Sequence, residues 1–154
     1  MKFLAGIFLS IFIVSFSFGI SNKFGLGIVV GTPTGLSAKY WIDNHNALDF
    51  ATGWSFKEDR FYLHFNYLVH NYSLLKKILQ KSELRGNLPL YAGIGIRTKF
   101  GKGDDEIGFR IPLGITYLFA GMPLDLFLEF APSLNFYPET DFFVDTSGGI
   151  RYYF

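Results

Sequence analysis

The residues of this chain that could do chemistry are charged side chains that alternate with apolar ones in glycine-rich segments. A period of two places such residues on one face of a β-strand. The ionisable members of that face are Lys39, Asp49, His64, Arg97, Lys99, Arg110, Asp125, Glu129, Asp145 and Arg151. Apart from His64, five members of this set are basic and four are acidic. Because an unpaired buried charge costs several kcal/mol, we expect these side chains to pair with one another.

His64 is the member of this set that could act as a general base. No serine stands near it in the sequence, so we favour a hydrogen-bonded structural histidine over a catalytic one. His45, His64 and His70 lack the His-x-x-x-His spacing of a metal site. The chain contains no cysteine, which excludes thiolate zinc ligands and a cysteine nucleophile. We therefore predict no enzymatic activity, no cofactor and no metal.

The charge of the chain limits its partners. A net charge of +1 over 154 residues provides no basic patch that could meet phosphates. We therefore expect no nucleic-acid partner.

Eight alternating segments must position the charged side chains. They span residues 24–31, 35–42, 47–56, 60–69, 88–100, 107–120, 124–136 and 144–154. Short strands that are joined mostly by tight turns predict an antiparallel sheet or barrel.

The apolar face of these segments carries no charge and has aromatic residues near its ends. A soluble sandwich or lipocalin-like barrel would bury that face. A membrane barrel would instead turn it towards lipid and enclose the polar face. We favour the second arrangement, an all-β, eight-stranded antiparallel up-and-down transmembrane β-barrel. In so narrow a barrel the charges form either a static polar plug, which we favour, or an ion path gated by exchange of partners.

The amino-terminal segment supports export. Lys2 precedes an apolar run over residues 3–18, and Ser17 and Gly19 supply small residues at the −3 and −1 positions of a cleavage site. Residues 1–19 are thus predicted to be a cleaved secretory signal, which leaves residues 20–154 as one domain. We expect its location to be the bacterial outer membrane.

The last hairpin gives the most specific pairing. Folding it about residue 140 places Glu129 opposite Arg151 and Asn135 opposite Asp145. The nearby small residues Gly93, Gly114, Ala131 and Gly149 would leave room for these long side chains.

The connection over residues 71–87 is the unusual element. Leu74, Leu75, Ile78 and Leu79 recur at helical spacing opposite lysines, which predicts a short amphipathic helix between the fourth and fifth strands. Strand parity places it on the periplasmic side. It either lies on the inner leaflet or caps the lumen, unless it is an ordinary packed connector or the strand count is off by one.

Three motifs carry a resemblance to a family. They are Gly31-Thr32-Pro33-Thr34-Gly35-Leu36, Arg110-Ile111-Pro112-Leu113-Gly114 and Gly149-Ile150-Arg151-Tyr152-Tyr153-Phe154. Through them the chain resembles the small eight-stranded bacterial outer-membrane barrels, such as the transmembrane domain of OmpA and OmpX, and a group of small predicted barrels of unknown function. The resemblance implies that Ile150, Tyr152 and Phe154 form a C-terminal signal for the barrel-assembly machinery. It also implies periplasmic chaperones and outer-membrane lipids as partners.

The function that we expect from the sequence is a structural or interaction role for a monomeric barrel. The alternatives are a narrow pore or ion channel and a lipid-modifying enzyme that would depend on His64.

Overall fold

The computed structural model describes residues 23–55, 59–83, 85–101, 103 and 105–154. The predicted signal over residues 1–19 lies outside this part of the chain. The described elements are β1 (Phe24–Gly31), β2 (Gly35–Trp41), β3 (Asn46–Ser55), β4 (Arg60–Asn71), α1 (Lys76–Lys81), β5 (Gly86–Asn87), β6 (Leu90–Gly101), β7 (Glu106–Arg110), β8 (Leu113–Phe119), β9 (Leu124–Tyr137) and β10 (Asp141–Tyr153).

Two prolines divide two of the barrel strands without changing their register. Pro89 separates β5 from β6, and Pro112 separates β7 from β8. Proline has no N–H to donate to a ladder, but its carbonyl can still accept. The N–H of Thr116 donates to the carbonyl of Pro89, and that of Gly93 to the carbonyl of Pro112, both at 3.0 Å. Each divided pair therefore acts as one strand, and the barrel has eight.

The eight strands close into a barrel. Each pairs antiparallel with its neighbours along the chain, and β10 returns to pair with β1 from Tyr153–Gly25 to Ser147–Gly31. Closure removes the exposed strand edges that an open sheet would leave. The predicted eight-stranded antiparallel barrel is confirmed.

The turns divide between two ends of the barrel. Those after β2, β4 and β8 lie with Lys23 and Phe154 at the terminal end, and those after β1, β3, β6 and β9 lie at the distal end. The turn after β2 is held by Asp43. The side-chain amide of Asn46 donates to Asp43 at 2.7 Å, and the backbone N–H groups of His45 and Asn46 donate at 2.7 and 2.8 Å. These hydrogen bonds lower the pKa of Asp43.

The connection after β4 contains the predicted helix, but the strand before it is longer than predicted. β4 was expected to end at Val69, and it continues to Asn71. His70 therefore lies inside the barrel, where it is 2 % exposed, and was wrongly assigned to the connection. The helix begins only at Lys76, so Leu74 and Leu75 belong to the turn before it.

The two faces of the strands differ in charge. Among the described residues of the strands, no outward-facing side chain is charged. Inward-facing positions carry the buried charges, and the apolar cluster among them is small, formed by Val29, Ala51 and Phe127. The interior of this barrel is thus polar, and its apolar surface lies outside.

Aromatic rings meet one another at both ends of the outer wall. At the distal end, Phe61 lies with its ring centroid 6.3 Å from that of Trp54 and 5.3 Å from that of Phe100. At the terminal end, the rings of Tyr152 and Phe154 are 5.3 Å apart. Phe56, the last residue of the third predicted strand, lies outside the described residues.

Candidate functional site: the polar interior of the barrel

The structure places nine of the ten predicted ionisable residues in the interior with side chains that are almost fully buried. They are Lys39, Asp49, His64, Arg97, Arg110, Asp125, Glu129, Asp145 and Arg151. Lys99 points the same way but is only half-buried, near the distal end. The nine residues come from seven of the eight barrel strands, so closure of the barrel is what brings them together.

The first centre of the interior is built on Arg151 of β10. Its Nε atom lies 3.0 Å from Asp125 Oδ1, on the neighbouring strand, and Nη1 lies 3.6 Å from Asp49 Oδ2 on β3. The guanidinium carbon lies 4.0 Å from the centroid of the Phe127 ring. The hydroxyl of Tyr153 donates to the second oxygen of Asp125. Arg151 thus joins two carboxylates in a site closed to solvent.

The second centre is built on Arg97 of β6. Its Nη1 donates to Asn135 Oδ1 at 2.7 Å, and its Nε lies 3.6 Å from Asp145 Oδ2. The guanidinium carbon lies 4.1 Å from the centroid of the Phe143 ring. The hydroxyl of Tyr62 donates to Asp145 at 3.0 Å. Arg97 also lies 3.9 Å from Glu106, whose side chain is 28 % exposed at the distal rim.

Arg110 and Glu129 form a third buried pair. Arg110 Nη2 donates to Glu129 Oε2 at 2.7 Å, and the Tyr91 hydroxyl donates to Glu129 Oε1 at 3.1 Å. A side chain at Gly114 would collide with the Tyr91 ring, so glycine makes room for that hydroxyl to reach Glu129. The charge-assisted bonds make this carboxylate well paired in spite of its burial.

Asp49 connects the first centre to His64. Asn66 donates to Asp49 Oδ1 at 2.6 Å, and His64 Nε2 lies 3.6 Å from the same oxygen. The Tyr62 ring meets that of His64 edge-on at 5.7 Å between centroids. Among the described residues, His64 makes no hydrogen bond to a serine. Its geometry is that of a histidine which supports a carboxylate.

Lys39 lies between the aromatic rings of the terminal half. Its Nζ is 2.8 Å from His70 Nε2 and 4.3 Å from the centroid of the Trp41 ring. The second histidine nitrogen, Nδ1, is 3.0 Å from the carbonyl of His45. An ammonium over an aromatic face is attracted by the ring quadrupole. The cation is thus held by a neutral acceptor and by aromatic faces.

The expected pairs of the last hairpin are wrong. Asn135 lies opposite Asp141, so the hairpin folds about residue 138 and not about residue 140. Moving the centre of a hairpin by two residues moves each partner by four. The faces are unchanged, because their period is two, but Arg151 meets Asp125 and not Glu129. Asp145 lies opposite Ala131 in the ladder.

The inward-facing aromatic side chains were missing from the predicted site. Tyr62, Tyr91 and Tyr153 each donate to a buried carboxylate. Strand parity alone would have found them, because each alternates with outward apolar residues on a strand that was correctly identified. The room predicted beside Gly114 and Gly149 is filled by the rings of Tyr91 and Phe127.

The charges of the interior balance. Lys39, Arg97, Arg110 and Arg151 are buried with Asp49, Asp125, Glu129 and Asp145, which makes four cations and four anions. Within the described part of the chain, no cluster of His, Asp or Glu has a geometry that could hold a metal ion. The arrangement can fill the lumen with paired charges, and each carboxylate has a nitrogen or hydroxyl partner.

Comparison of the chain with protein-family models, with curated proteins and with solved structures finds no match. In the described part of the chain, no helix is both long and apolar enough to cross a membrane.

Proposed function

We propose that this protein is a monomeric integral barrel of the bacterial outer membrane with a structural or interaction role and no enzymatic activity. The observation that carries the proposal is the polarity of the closed wall. Its buried side bears eight charges, and its outward side bears none among the described strand residues. A water-soluble barrel would require the opposite arrangement.

The sizes of the two apolar regions support lipid as the surrounding medium. Among the described residues, 31 large apolar or aromatic side chains are exposed, whereas nine apolar or aromatic residues are buried, three of them alanine. Each Val, Leu, Ile or Phe side chain that leaves water contributes about 1.5–3 kcal/mol. Most of the hydrophobic stabilisation of this chain would therefore be lost in water and retained in a bilayer.

The paired interior supports a closed lumen. The Tyr62–Asp145 hydrogen bond joins β4 to β10, on opposite walls, and the contacts of Arg97 with Asp145 and of Arg151 with Asp49 also cross the lumen. A conducting path would require these contacts to separate. Planar bilayers that contain the protein should therefore show no conductance; steps of conductance that change in Arg97→Gln would favour the narrow pore.

Electrophoretic mobility in detergent, with and without boiling, tests the membrane barrel. The full chain should be folded in micelles and should migrate differently when it is not heated. Identical mobility, together with solubility in buffer without detergent, would overturn the proposal.

Introducing a charge on the outer wall tests directly whether that wall faces lipid. Ile94 lies in the middle of its barrel strand and is 71 % exposed, so Ile94→Arg should cost about 2–4 kcal/mol of unfolding free energy in phospholipid vesicles. The matched control is Met122→Arg, because Met122 is also exposed but lies in the turn after β8. Urea unfolding that gives equal costs at the two positions would contradict a lipid-facing wall.

A further inference from the structure

The connection between β4 and β5 is held at both of its ends. At the start, Asn71 Oδ1 accepts from the backbone N–H groups of Ser73 and Leu74, at 2.9 and 3.1 Å, and the Tyr72 hydroxyl donates to the carbonyl of Asn44 at 2.7 Å. At the end, the Tyr117 hydroxyl donates to the carbonyl of Arg85. These bonds tether both ends of the connection that contains α1.

The start of the connection lies beside the outer wall. Leu74 and Leu75 line a groove of about 860 Å³ together with the outward-facing Val69, Ala92, Leu113 and Phe130. Leu74 is 65 % exposed within it. The groove exists where the outward side chains are small, as at Ala92, between larger neighbours. Its length across several strands and its apolar lining fit a hydrocarbon chain.

The helix beside this groove is basic. Lys76, Lys77 and Lys81 belong to α1 and are exposed, and no ion pair joins them to another described residue. Ile78, on the same helix, is 60 % exposed, and no residue of α1 is buried. A helix of six residues is too short to be stable by itself in water. Exposed lysines next to exposed aliphatic side chains are typical of segments that lie at a membrane interface.

We propose that α1 and the adjoining groove form a binding site for an anionic phospholipid. One acyl chain lies in the groove against Leu74 and Ala92, and the phosphate is held by Lys76 and Lys77. This site rests on the proposed function, because the groove meets acyl chains only if the outer wall faces a bilayer. A second copy of the chain is a poorer occupant, since a symmetric contact here would bring two sets of lysines together.

The number of charges sets the size of the expected preference. A lysine near an anionic membrane surface contributes about 1 kcal/mol, which corresponds to roughly a five-fold preference for an anionic over a zwitterionic lipid. Lys76 and Lys77 together should therefore favour the anionic lipid by more than ten-fold.

Lipid retention tests the site. The full chain is reconstituted in nanodiscs of phosphatidylglycerol and phosphatidylcholine with identical acyl chains, released into mild detergent, and examined by native mass spectrometry. The wild-type protein should retain phosphatidylglycerol preferentially. Lys77→Gln should reduce that preference roughly five-fold, whereas Lys23→Gln, at the same end but on the opposite wall, should leave it unchanged. Ala92→Phe, which fills the groove and removes no charge, should reduce retention of both lipids.

The outcomes separate this site from the proposed function. A chain that enters nanodiscs but retains the two lipids equally, or that loses as much preference with Lys23→Gln as with Lys77→Gln, overturns the lipid site alone. A dimer mass that disappears in Ala92→Phe would assign the groove to a second copy and overturn it as well. A chain that does not enter nanodiscs overturns both proposals.

Discussion

The two arginine centres of the interior use the same kinds of residue to different effect. Arg151 and Arg97 each stack on a phenylalanine ring, and each lies beside an aspartate that also accepts from a tyrosine hydroxyl. The nearest partner of Arg151 is the carboxylate of Asp125, at 3.0 Å. The nearest partner of Arg97 is instead the neutral amide of Asn135, at 2.7 Å.

The surroundings of the two centres differ in the same direction. Both carboxylates near Arg151, those of Asp49 and Asp125, are buried. Of the two near Arg97, Glu106 is 28 % exposed and also pairs with Arg60 at 3.1 Å. The comparison teaches that one set of residue types can make either a fully buried centre whose two carboxylates share one arginine, or a centre with a partly exposed carboxylate that also pairs with a second arginine.

Removal of Arg151 should lower the free energy of unfolding the most. Arg151→Met would leave Asp125 and Asp49 without their shared cation, at a cost of about 3–5 kcal/mol. Urea unfolding of the full chain in phospholipid vesicles measures this. The double variant Arg151→Met with Asp125→Asn should recover part of the loss, since one of the stranded charges is then gone. A smaller loss of unfolding free energy for Arg151→Met than for Arg97→Met would contradict the proposed difference between the two centres.

Removal of Arg97 should have an intermediate effect of about 1–3 kcal/mol in the same assay. Asp145 keeps the Tyr62 hydroxyl as a donor, and Glu106 keeps Arg60. Adding Tyr62→Phe removes the hydroxyl as well, so the double variant should approach the cost of Arg151→Met. If the two changes are simply additive and small, Asp145 does not depend on these two donors.

Neutralisation of Glu106, at the distal rim, should change the free energy of unfolding the least. Glu106→Gln affects a partly exposed pair, and such pairs contribute about 0–1 kcal/mol. The difference from wild type should shrink further as salt is added, because screening weakens exposed pairs more than buried ones. A salt-independent loss above about 2 kcal/mol would place Glu106 within the Arg97 centre as a full member.

Strand identity and the direction of the side chains were predictable because both are local. A period of two can be recognised within one segment, and it correctly assigned the inward face of nine buried ionisable residues. The ends of segments were less predictable: β4 extends to Asn71, and His70 consequently became part of the interior. The hydrogen bond of His70 to Lys39 is a tertiary contact that no local pattern contains.

The pairing of the interior charges could be predicted only where the strand register was predicted correctly. Arg151 and Asp125 face each other on neighbouring strands, so a correct hairpin centre would have been sufficient to pair them. An assumed centre two residues too late assigned Glu129 to Arg151, although Glu129 in fact binds Arg110. The expectation that Ile150, Tyr152 and Phe154 serve assembly remains a prediction, as do export, the chaperone partners and the location in the outer membrane.

The amino-acid sequence by itself determined which side of each strand is polar, because adjacent residues of an extended chain must point in opposite directions. It also determined that the charges would balance closely. Only the tertiary structure decided which charges meet. Tyr62 and Asp145 lie 83 positions apart and on opposite walls, and they meet because β10 pairs with β1 and encloses both. Closure of the wall, a property of all eight strands together, turns alternating polar residues into a paired interior.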